Sequence, residues 1–248
     1  MKNLTIIFIF TVFFTNLFAK EKKEDVYDIL DKVDKIYRAE TSHAEMEMKI
    51  TTPNWKRTMK LEVWSEGMEK TFISVLSPAK DKGVSTLRVD NDMWNYFPKV
   101  GRVMKVPPSM MMGSWMGSDF TNDDLVKQTT FREDYNAKII QSKDKDTIVI
   151  EMTPKESAAS VWGKIVATIR KRDYMPLKQE YFSEKGKKMR IMKFSEFKKM
   201  GGKVIPAVME IIPLNKKGHS TKITYIKADF DIKLDSNIFS LRNLRKKR

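Results

Sequence analysis

The 248-residue chain contains no cysteine. That excludes a disulfide framework, thiol catalysis, cysteine-ligated zinc and attachment of a lipid to the chain through a cysteine. Histidine is nearly absent, with only His43 and His219, which are far apart in sequence. No Ser/His/Asp arrangement can be built from them with any geometric reason behind it. Glycine is sparse, and no phosphate-cradling glycine loop occurs. The G-x-S-x-G elbow is also missing: in Gly113-Ser114-Trp115-Met116-Gly117 the serine stands one place early. Asp229-Phe230-Asp231 followed by Asp235 lacks both the glycine and the terminal glutamate of a calcium loop. No enzyme activity, metal or cofactor is therefore expected.

What is present begins with an export signal. Lys2 precedes an apolar run from Leu4 to Phe14, and Ala19 stands just before Lys20-Glu21-Lys22-Lys23. Basic end, short apolar core and small residue at the cleavage point mark residues 1–19 as a cleaved secretory signal. The run is shorter than the roughly 20 residues a spanning helix needs. Residues 20–248 then form one domain, located in the periplasm. The formal charge of +15 favours anionic surfaces. Export argues against nucleic acid and leaves a transient contact with an anionic membrane surface, or simply a well-solvated exterior.

Asp25–Glu40 reads as a helix, because Val26, Ile29, Leu30, Val33, Ile36 and Tyr37 draw one apolar stripe at spacings of three and four. The period then changes to two. Ala44, Met46, Met48 and Ile50 alternate with polar residues, as do Met59, Leu61 and Val63, and later Ile148, Ile150, Met152 and Ile165, Ala167, Ile169. Turn signals separate roughly ten such segments, with no crossover helices between them, so the strands pair as an antiparallel meander. The expected fold class is mainly β: a large curved sheet forming an incomplete, half-open barrel covered by helices. One face of it is apolar throughout.

Between Lys105 and Leu125 the alternation stops. Two prolines start the segment and two glycines loosen it, yet it carries Met110, Met111, Met112, Trp115, Met116 and Phe120. Side chains of this kind in a loop point to an apolar flap at the mouth of a cavity, or to a plug tucked into the sheet; a plug that can leave is a gate. Thr121 or Asn122 caps a short turn that opens with Asp123 and Asp124.

Three elements carry a resemblance to a known family. They are Val75-Leu76-Ser77-Pro78 through Gly83, Met93-Trp94-Asn95-Tyr96-Phe97-Pro98 through Arg102-Val103, and Gly117-Ser118-Asp119-Phe120 with Asp123-Asp124-Leu125. In this order they resemble the outer-membrane lipoprotein-sorting proteins, the LolA-like group. The resemblance implies an unclosed barrel that holds acyl chains and carries lipids or acylated lipoproteins between envelope membranes, with an inner-membrane transporter as a loading partner. By position, Met46, Met48, Leu61, Val63, Trp94, Tyr96 and the segment Met110, Met111, Met112, Trp115, Met116 and Phe120 are the expected cavity and flap residues. Two other functions fit the same residues: an envelope sensor or scaffold that binds lipid and a partner protein, and a lipid hydrolase.

Overall fold

A computed structural model of the protein describes residues 24–36, 39–126, 131–158 and 160–246. The export signal read in residues 1–19, Tyr37 of the helical stripe, and the last two basic residues lie outside them. Helix α1 spans Val26–Lys35, shorter than the sequence stripe, and its first turn is capped by Asp25, whose carboxylate accepts from Tyr27 N at 2.7 Å.

Thirteen strands follow, where the alternation alone suggests about ten. The first group is β1 (Thr41–Thr51), β2 (Lys56–Glu66), β3 (Lys70–Ser77), β4 (Ser85–Val89), β5 (Asp92–Phe97) and β6 (Arg102–Lys105). The second is β7 (Tyr135–Ile140), β8 (Thr147–Pro154), β9 (Lys164–Arg170), β10 (Pro176–Phe182), β11 (Lys188–Met200), β12 (Lys203–Pro213) and β13 (Ser220–Phe230). They make one sheet in the order β6-β5-β4-β3-β2-β1-β13-β12-β11-β10-β9-β8-β7, with every neighbouring pair antiparallel. The sheet does not close: β6 and β7 are its two edges. Two short helices, α2 (Asn122–Val126) and α3 (Phe131–Asp134), lie between them in sequence, and α4 (Leu241–Leu244) ends the described chain. No described helix is long and apolar enough to cross a membrane.

Period-two alternation sends one set of side chains to the inner face of this sheet. Met48, Ile50, Met59, Leu61, Ile73, Val75, Met93, Ile211 and Ile223 form one buried cluster there. Ile150, Met152, Ile165, Ala167 and Ile169 form a second, and α1 docks on it through Ile29, Leu30 and Val33. The helix thus loses its apolar stripe to the β7–β10 half of the sheet, which is why a segment with so polar an average composition folds at all.

The outer face has its own cover. Phe72, Leu87 and Tyr96 pack against Phe239 and Leu244 of the C-terminal turn and α4. Both faces of the β3–β5 region are therefore apolar, and a strand there reads as a nearly continuous hydrophobic run.

Ile169 is fully buried in the second inner cluster, at 0% exposure. Ile169→Ala is expected to lower the unfolding free energy by about 2–5 kcal/mol with an unchanged denaturant slope, as read by urea titration. A change under about 0.5 kcal/mol, the level of surface substitutions, would mean this side chain is not in the core.

Candidate functional site

The edges β6 and β7 are consecutive in the chain, so the connection from residue 106 to residue 134 has to travel from one margin of the open sheet to the other. Its residues 106–126 lie across the inner face, as a strap. Pro107-Pro108 ends β6 and opens a short 3-10 turn, and a second 3-10 turn at Trp115–Gly117 follows. Trp115 and Phe120 insert into the first inner cluster, at 3% and 7% exposure. Trp115 N donates to Phe120 O at 2.8 Å, so the two rings are presented by one small loop.

Polar contacts fix this loop to three different parts of the sheet. The indole Nε1 of Trp115 donates to Thr86 Oγ1 at 3.1 Å, and Thr86 in turn bonds Asn95 Oδ1 at 2.6 Å. Asp119 N donates to Thr221 Oγ1 at 2.9 Å, and that hydroxyl donates back to Asp119 Oδ2 at 2.8 Å. Arg57 Nη1 donates to Met116 O at 3.3 Å while its Nη2 pairs with Asp81 at 2.7 Å. Met116 itself sits at φ 53°, ψ 23°, in the left-handed region, which costs an L-residue roughly 1–2 kcal/mol. The strap is held, and it is held under some strain.

Its far end is latched more firmly. Thr121 caps α2: its hydroxyl accepts from Asp124 N at 3.1 Å, and Asp124 Oδ2 accepts from Thr121 N at 2.8 Å, a reciprocal cap. The same carboxylate takes both Nη atoms of Arg190, at 2.7 and 2.6 Å. Arg190 comes from β11 and lies against the contacting rings of Trp162 and Tyr181, with its guanidinium carbon 4.6 and 4.3 Å from the ring centroids. Burial pushes the Asp124 carboxyl up, but the hydrogen bonds and charge of Arg190, with those from Thr121, outweigh it and leave the carboxyl below its usual value. Burial raises the Tyr181 hydroxyl to about 12, so it stays neutral; it donates to Gln179 at 2.7 Å.

Two hollows remain beside the strap. The larger, of about 880 Å³, lies between α1, the strap and the β9–β12 inner face and reaches the β2–β3 and β4–β5 turns, with Phe120, Tyr135, Trp162, Ile165, Met192 and Arg88 in its wall. The smaller, of about 440 Å³, lies on the other side, between Val84, Phe97, Met116 and the β3–β4 connection. Both are within the roughly 300–1,000 Å³ common for small-ligand sites.

The expected site residues divide into three groups. Met48, Leu61, Trp115 and Phe120 come together in the first inner cluster, and Met46, Val63, Met111 and Met116 pack against it half-buried. Met110 and Met112 are exposed. Trp94 and Tyr96 are not brought to this place. In β5 the inward residue is Met93, so Trp94 and Tyr96 face outward and pack with the C-terminal cover. That corrects their expected position at the cavity. The slip is one of parity, the commonest hazard of strand reading. Sequence reasoning does not single out Arg88, Asp124 or Arg190 as site residues; the one signal for the arginines is a charge on the apolar side of an alternating strand.

The match to known proteins follows the same outline. A family model described only as "-like: Uncharacterized protein" matches residues 67–246. The chain belongs to that family. Among solved structures, a DUF1329 family protein from Desulfovibrio piger is 22% identical with a TM-score of 0.79, covering 88% of this chain and 97% of that one. A putative outer membrane lipoprotein-sorting protein domain from Vibrio parahaemolyticus is 24% identical with a TM-score of 0.75, covering 89% and 98%. A LolA superfamily protein from Nitrosomonas europaea is 20% identical with a TM-score of 0.71, covering 87% and 97%. At these identities the likeness is one of fold, and the fold of this family member is LolA-like. No curated protein matches the chain in sequence.

Because the Asp124 carboxyl titrates lower in the folded protein than in an unfolded chain, its contribution to stability is complete above about pH 4 and is lost as pH falls through the folded value. Asp124→Ala leaves Arg190 charged and buried, and is expected to cost about 3–5 kcal/mol. It should also expose residues 106–126 to limited proteolysis at neutral pH. Wild-type protein should show the same cleavage only in acid. Equal protection of the variant and the wild type at pH 7 would mean the latch does not hold the strap.

Proposed function

We propose that the protein is a periplasmic carrier that binds the acyl chains of a lipid or an acylated lipoprotein against the inner face of its open sheet, and releases them by lifting the strap. The observation that carries this reading is the construction of the cover. An inner face carrying two apolar clusters is covered by a segment that inserts two aromatic rings, Trp115 and Phe120, and leaves hollows of about 880 and 440 Å³ on either side.

Acyl burial supplies about 0.8 kcal/mol per CH₂, so a few chain segments replace what the two rings lose on leaving. Methionines suit this exchange, since Met46, Met111, Met116, Met192 and Met209 line or border the inner cluster and can repack around chains of different shape. Binding of this kind transfers a ligand without altering it, which is why the function is read as carriage and not catalysis. The LolA-like fold supports the same reading, as does the description of the Vibrio relative as a putative lipoprotein-sorting domain. Residues 1–19 are taken as the signal that delivers the domain, residues 20–248, to the periplasm. An inner-membrane transporter as loading partner and a brief contact with an anionic membrane surface complete the proposal.

Protein expressed with its own leader and purified from an envelope fraction is expected to carry acyl lipid detectable by mass spectrometry. Met116→Asp, which places a charge at the inner cluster, should reduce that load by about tenfold or more. Trp94→Ala, on the outer face, should leave it unchanged. Repeatedly empty preparations, or loading that responds to Trp94 and ignores Met116, would overturn the assignment.

A further inference from the structure

The wall of the larger cavity contains an arginine with one buried nitrogen left unsatisfied. Arg88, on β4, is 5% exposed. Its Nε donates to the backbone oxygen of Asp90 at 3.0 Å, while its Nη1 is buried and meets no acceptor. The contrast is Arg190, equally buried and also part of this wall, whose charge is met by both oxygens of Asp124. A buried guanidinium nitrogen that lacks an acceptor is costly, and it leaves Arg88 able to take one from a ligand in the cavity.

The surroundings of Arg88 say what kind. Glu69 and Asp90 stand at the same end of the cavity, close enough for their charges to act on Arg88 but not paired with it. Arg190 in the same wall is already met by Asp124, so Glu69 and Asp90 are the carboxylates that bear on Arg88. Two carboxylates beside one cation disfavour a purely anionic ligand. One in which an anion and a cation are neighbours satisfies both Arg88 and the carboxylates beside it.

We propose that this end of the cavity is a headgroup subsite for a zwitterionic phosphodiester lipid, with the phosphate on Arg88, the ammonium toward Glu69 and Asp90, and the acyl chains along Phe120, Ile165 and Met192. The inference rests on the carrier reading and narrows it. It commits the cargo to a phospholipid in preference to an acylated polypeptide, whose lipid end bears no phosphate.

The test is a competition. The full domain is incubated with an equimolar mixture of phosphatidylethanolamine, phosphatidylglycerol and diacylglycerol of identical chains, and the lipid retained after gel filtration is measured by mass spectrometry. The expected result is enrichment of phosphatidylethanolamine by about tenfold over each of the others, the effect of one charge-assisted contact. Arg88→Met should bring phosphatidylethanolamine down to the level of diacylglycerol. Glu69→Gln with Asp90→Asn, at an exposed hairpin end, should shift the preference toward phosphatidylglycerol, and this arm decides the matter alone if Arg88→Met fails to fold. Excess inorganic phosphate should not displace the lipid; displacement would assign Arg88 to free phosphate and overturn the subsite. Retention of lipid with no headgroup preference, or with one that neither variant moves, overturns the subsite and leaves the carrier reading intact. Retention of none of the three lipids overturns both.

Discussion

An open sheet with an apolar inner face has to be covered, and this chain covers it with the piece of itself that topology makes available. Strands β1 to β6 run outward in one direction and β7 to β13 return from the other side to pair with β1. The two margins are thus joined by a single connection, residues 106–134. A segment so placed crosses the mouth whatever its sequence. Its methionines, its tryptophan and its phenylalanine make the crossing adhesive, because the inner face offers more apolar surface than the helix α1 can occupy.

The attachment is divided into unlike parts. Trp115 and Phe120 supply hydrophobic insertion, which an acyl chain can imitate. Asp119, Thr221, Arg57 and Thr86 supply hydrogen bonds that water can replace once the rings leave. The Asp124–Arg190 pair is different: it is buried, with the guanidinium against two aromatic rings, and breaking it leaves two charges poorly solvated. The Trp115 part of the strap is thus the more weakly held and the Asp124 part the more firmly. Strain at Met116 weakens the former further.

Much of this is legible in residue order, for identifiable reasons. The alternation of Met46, Met48 and Ile50, and of Ile165, Ala167 and Ile169, names the inner face because their neighbours are polar. The strap is visible as the one place where apolar side chains lose their period. Strand β5 misleads because both of its faces are apolar, so Trp94 and Met93 compete as inward residues on equal terms. Edge strand β7 leaves no pattern, since only Tyr135 of its six residues is buried. The C-terminal cover of the outer face is hidden for another reason: Leu234, Ile238, Phe239 and Leu244 keep no strand period and find their partners far away in the chain. Long-range pairs such as Asp124 with Arg190, 66 residues apart, leave no local trace at all.

The most direct test exploits the absence of cysteine from the chain. Cysteines placed at Asp119 and Thr221, whose side chains already touch, should form a disulfide that ties the strap to β13. The quantity to measure is acyl lipid bound from vesicles by the oxidised and by the reduced protein. If the strap is a removable cover, the oxidised form takes up little or no lipid and the reduced form takes up as much as the wild type. Equal uptake by the two forms would contradict the account, because lipid would then reach the protein without the strap having moved.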